Sequence, residues 1–147
     1  MSNDLYDRDF YAWANQQAAL LRAGRLAEAD IENIAEEIES MGRSEKRELV
    51  SRLTILLQHL LKWQFQPEKR SNSWRAGIRE QRVRIARILK ASPSLKAYPA
   101  QSLPGSFIIG LDAAIAETGL APSALPVACP YSVEQVLDDD FWPGHAP

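Results

Sequence analysis

The sequence offers one thiol, Cys129, and two imidazoles, His59 and His145. A lone cysteine excludes an internal disulfide and any multi-cysteine zinc site, and it fits a reducing cytosol. Long apolar runs are also missing. The strongly apolar stretches are short, such as Ile55-Leu56-Leu57 and Leu60-Leu61, far from the roughly 18 residues that span a bilayer. The opening MSNDLYDRDF is acidic and has no apolar segment, so a secretory signal is not expected. There is no phosphate loop, dinucleotide fingerprint or nucleophile elbow. The net charge of -2 gives no global attraction to nucleic acid or anionic membrane. These absences point to a cytoplasmic protein with no membrane partner and no cofactor.

What is present is helical periodicity. The 147 residues suit one domain, placed at residues 4–143 with a frayed tail over 144–147. Phe10, Trp13, Ala14, Gln17 and Leu21 share a face of a first helix, capped by Asp7 or Asp9 and stopped at Gly24. Asp30 caps a second, whose stripe is Ile31, Ile34, Ala35, Ile38 and Met41, and Gly42 ends it. A third runs from near Ser44 to about Phe65, with Leu49, Val50, Leu53, Leu56, Leu57, Leu60 and Leu61 as the centre of the core. A fourth starts near Ser73 and stops at Pro93, with Trp74, Ile78, Ile85, Ile88 and Leu89 on its inner face. The last third is rich in proline and loops. One helix crosses it, from about Gly105 to Thr118, and the capping-box spacing of Ser132 and Gln135 opens a short final helix. Phe141 and Trp142 are expected to dock. The fold class is all-α, an antiparallel bundle of about six helices.

Charge is segregated. Residues 1–42 hold nine acids and three bases, and residues 62–90 hold nine bases and two acids. Glu32, Glu36 and Glu39 share one side of the second helix, where like charges repel. Arg75, Arg79 and Arg82 share one side of the fourth. Ion pairs between these two ridges would satisfy both, since arginine binds carboxylates with paired hydrogen bonds. Arg84, Arg87 and Lys90 remain for a surface-binding role, with Lys69 and Arg70 as further free bases.

The candidate catalytic residues are His59, Glu36 and Lys62. His59 lies at the border of the leucine arc on a wheel of about 100° per residue, where it can pair with a carboxylate and titrate near neutral pH. A Glu36–His59 metal centre, assisted by Glu32 or Glu37, would need the second and third helices to turn both groups toward one cavity. The Glu-x-x-His pattern of two-metal bundles is absent. Cys129, between Ala128 and Pro130, reads as structural or incidental.

The words LYDRDFYAWA, DIENIAEEIESMGRSEKRELVSRL, LLQHLLKWQFQP, SWRAGIREQR and CPYSVEQVLDDDFWP follow one another over residues 4 to 143. In this the chain resembles the bacterial domain-of-unknown-function family 29, common in cyanobacteria and proteobacteria. Ile31 stands where the family often has tryptophan, and Gly77 where it often has threonine. The resemblance implies an all-helical domain and brings no activity. It recommends Glu36, Glu37, His59, Lys62, Trp63, Ser73, Trp74, Gln81 and Arg82 for testing. The expected function is a non-enzymatic module that binds a protein partner or itself. The alternatives are a metal-binding protein or metal-dependent enzyme centred on Glu36 and His59, and nucleic-acid binding through the basic fourth helix.

Overall fold

A computed structural model describes residues 4–144. The expected tail beyond Gly144, with His145, lies outside them. The described chain is all-α, with no strand. Its helices are α1 (Asp4–Arg8), α2 (Phe10–Arg22), α3 (Ile31–Phe65), α4 (Asn72–Ala91), α5 (Tyr98–Thr118) and α6 (Val133–Leu137). Single 3₁₀ turns link several of them.

The helix ends follow local chemistry. Asp9 caps α2 by accepting from the Ala12 amide at 3.0 Å. Gly24, at φ 72°, ends it. The Arg25 amide donates to the Leu20 carbonyl and the Gly24 amide to Leu21, which satisfies carbonyls that a helix end otherwise orphans. Ser71 caps α4, two residues ahead of the expected start. The Ser132–Gln135 capping box opens α6 as its spacing predicts.

Two boundaries differ from the sequence reading. The expected second and third helices are one element, because α3 runs unbroken through Gly42. A glycine inside a helix costs about 1 kcal/mol relative to alanine, and good helix formers on either side absorb that. Gly24 and Gly119 stop their helices with positive φ, whereas Gly42 has none. Helix α5 begins at Tyr98, seven residues before the expected start. Pro99 sits in its first turn, where the missing N–H costs nothing. Pro104 lies inside and removes one bond without ending the helix.

The chain groups into two compact units, one through Ser44 and one from Glu45, with the division inside α3. The second unit holds the hydrophobic core. Leu49, Leu53, Leu56, Leu57, Leu60 and Leu61 of α3 meet Ile78 and Ile85 of α4, Phe107 and Ala114 of α5, and Val136 of α6. Phe141 and Trp142 pack against this cluster as expected. In the first unit the buried apolar residues are Trp13 and Ala29. The Trp13 indole donates to Asp30 at 3.0 Å, and Gln17 accepts from the Asp30 amide at 2.7 Å. Tyr6 donates to Glu37.

Candidate functional site

Three helices of the second unit meet around His59 and Lys62. The Lys62 side chain is 3% exposed, and its ammonium donates to Glu117 of α5 at 2.9 Å. The same nitrogen stands 4.8 Å from the ring centre of Trp74 on α4. Gln58 donates to the other Glu117 oxygen at 2.8 Å. Glu117 is half exposed, so water still reaches the carboxylate that neutralises the buried cation. Lys62 holds the Glu117 carboxyl below its usual range, helped by Gln58.

His59 sits one turn away. Its Nδ1 lies 2.9 Å from the Ile55 carbonyl. A carbonyl only accepts, so Nδ1 carries the proton and Nε2 the lone pair. Nε2 packs against Gly77 of α4, where an added Cβ would stand 3.0 Å away. Burial pushes the imidazole pKa down, with the Lys62 charge adding to it and Glu117 opposing. The unfolded chain therefore takes up the proton first. Stability is complete above the usual value of 6.5 and falls as pH drops from there through the lowered folded value. Urea midpoints measured near pH 7.5 and near pH 5.5 are expected to drop for the wild type and to change less for His59→Gln. An equal drop in both would assign the loss to other groups.

Arg82, Arg75, Arg79 and Glu36 of the two expected ridges each have a partner within their own unit. Arg82, 3% exposed, is committed to backbone carbonyls. Its Nε donates to Val136 at 2.9 Å, and its Nη2 to Phe141 at 2.8 Å and to Gln135 at 3.4 Å. It thus ties α4 to α6 and to the segment after it. Arg75 donates to Asn72 at 2.9 Å and stands 5.3 Å from the Trp63 ring. Arg79 lies over Trp142 at 5.7 Å. Glu36 is paired within α3, to Arg43 at 2.8 Å.

The metal centre was expected on Glu36 and His59. Both belong to α3, 23 positions apart in sequence, Glu36 in the first unit and His59 in the second. No group of three or more His, Cys, Asp or Glu among the described residues is placed to hold a metal ion.

What remains open is the outer face of α4. Ala76, Arg79, Val83, Ala86, Arg87 and Lys90 all face solvent there at helical spacing. Arg84 beside them is paired with Glu80 at 3.0 Å, and such exposed pairs are weak. Among the described residues Arg79, Arg87 and Lys90 have no carboxylate partner. Two shallow cavities lie along this face. One, of about 500 Å³, is lined by Ala76, Arg79, Glu80, Val83, Arg84 and Arg87. The other, of about 290 Å³, runs over Val83, Ala86, Arg87 and Lys90 to Leu137 and Asp139. The face is a row of small apolar side chains with a rim that is mainly cationic, Glu80 and Asp139 being its acids.

Sequence reasoning missed Glu117 and Gln58, and it read Arg70 as a free base. Arg70 donates to the Trp63 carbonyl at 2.7 Å and reaches the Pro143 carbonyl at 3.4 Å. Nothing local singled out Glu117, since its partner lies 55 residues away. Cys129 donates weakly to the Tyr131 carbonyl at 3.5 Å, and burial pushes its thiol up, away from reactivity.

No helix among the described residues is long and apolar enough to cross a membrane. No curated protein and no solved structure matches the chain. A family model described as Domain of unknown function DUF29 matches residues 5–142, nearly everything described above. The chain belongs to the DUF29 family.

Proposed function

We propose that this chain is a non-enzymatic cytoplasmic protein-binding module, and that the outer face of α4 docks an acidic amphipathic helix. The observation that supports this is the face itself. Arg79, Arg87 and Lys90 are exposed and lack a carboxylate partner among the described residues, and they surround a floor of Ala76, Val83 and Ala86. Val83 is 47% exposed. Small floor residues accept large apolar side chains from a partner helix, in the manner of knobs entering holes. The rim would then meet glutamates.

Nucleic acid fits the face less well. Single strands are held by aromatic stacking beside positive charge. Here Trp74 is covered by Lys62, and Trp142 lies between Arg79 and Arg82. The floor is aliphatic.

The test is fluorescence anisotropy with a labelled helical peptide bearing an isoleucine stripe flanked by glutamates. The peptide is expected to bind the wild type. The double variant Arg87→Glu with Lys90→Glu is expected to bind at least about tenfold more weakly, because rim attraction becomes repulsion. Equal binding by both proteins would overturn the reading. So would preference for a single-stranded oligonucleotide with steep salt dependence.

A further inference from the structure

The first unit carries a second face without a partner. Ile31, Ile38 and Met41 of α3 are 50%, 58% and 64% exposed. With the half-buried Ile34 they are spaced three, four and three residues apart, the seam of a helix that packs on another helix. Residues 31–42 hold four glutamates and no cation. Glu32 and Glu39 have no cationic partner among the described residues.

This unit is also poor in core. Phe10, Leu21 and Leu26 are exposed as well, against the two buried apolar residues Trp13 and Ala29. Pieces near about 40 residues bury too little surface to hold alone and commonly rely on association. The seam is therefore a face that gains stability when covered.

We infer that the acidic helix docked by α4 is the N-terminal half of α3 from a second copy of this chain. The inference rests on the proposed docking role of α4. Charge complementarity selects this occupant: residues 75–90 hold six cations and one acid, opposite the four glutamates of residues 31–42. Side-chain size agrees. The α3 seam presents Ile and Met, and the α4 floor presents Ala and Val. Each copy carries both faces, so one copy can satisfy another with no third component. The like-charged row of Glu32, Glu36 and Glu39, costly on a lone helix, then faces cations.

Sedimentation velocity on the full untagged chain tests this. The wild type is expected to self-associate with rising concentration, and added salt to weaken it. Glu32→Lys with Glu39→Lys, and separately Arg87→Glu with Lys90→Glu, are each expected to weaken association more than about tenfold. Both pairs are exposed, so circular dichroism should match the wild type. A one-to-one mixture of the two variants should associate again, because each supplies the face that the other has reversed. A wild type that stays monomeric while still binding the acidic peptide would overturn the self-docking and leave the docking role standing. Loss of both would remove the two together. Variants that associate like the wild type, or a mixture without rescue, would also overturn it.

Discussion

Gly110→Leu is expected to destabilise the protein by about 3 kcal/mol or more, among the largest effects of any single change in the second unit. Gly110 lies where α5 crosses α3 with backbone against backbone. A Cβ there would stand 3.0 Å from the Thr54 carbonyl oxygen, 3.3 Å from the Gln58 amide nitrogen and 3.3 Å from the Leu57 Cβ. Two of those neighbours are helix backbone and cannot rotate away. A leucine must push α5 off the leucine face of α3, where Leu57 is fully buried. Against a total stability of about 5–15 kcal/mol, that is a large fraction. Gly110→Ala is expected to fall between the two, gaining about 1 kcal/mol of helix propensity and losing more to crowding. Urea denaturation with an unchanged slope and a lower midpoint checks both. A leucine variant as stable as the wild type would show that α3 and α5 do not meet this closely.

Arg82→Met is expected to cost about 2–4 kcal/mol. The methionine keeps the apolar stem and removes the donors. The Val136 and Phe141 carbonyls then lose the partners that Arg82 supplied at 2.9 and 2.8 Å. Burying a guanidinium is itself costly, and burial pulls the Arg82 pKa down while Asp139 and Asp138 oppose it. Two stranded carbonyls outweigh the desolvation recovered. Arg82→Lys should also fail, since a single ammonium cannot fork to carbonyls on both sides. Hydrogen exchange separates this from a general loss of core: the amides over residues 133–142 should lose protection before those of α3. Uniform loss, or none, would contradict the clamp.

The core helices were legible because their signals are local. The leucines of α3 repeat at helical spacing, and Ser132 with Gln135 forms a capping box that needs no distant partner. Gly42 misled because glycine marks a helix end only where φ turns positive, as at Gly24 and Gly119. The prolines before Gly105 misled in the same way. Pro99 occupies a first turn, and Pro104 costs a single bond that the packing of α5 tolerates. His59 and Lys62 could be picked out from sequence, yet Glu117 could not, because only the fold brings α5 to α3. Arg82 was singled out, but its carbonyl partners were not. Its like-signed neighbours suggested carboxylates, while the fold supplies the carbonyls of α6 and of the segment after it. The exposed seam of Ile31, Ile38 and Met41 was legible as a stripe, and only the structure shows that it stays uncovered.

The most direct test of the docking role is a nuclear magnetic resonance titration of isotope-labelled protein with the acidic helical peptide. Saturable shifts centred on Ala76, Val83, Ala86, Arg87 and Lys90 are the predicted result. Shifts confined to other helices, or none at high peptide concentration, would contradict it.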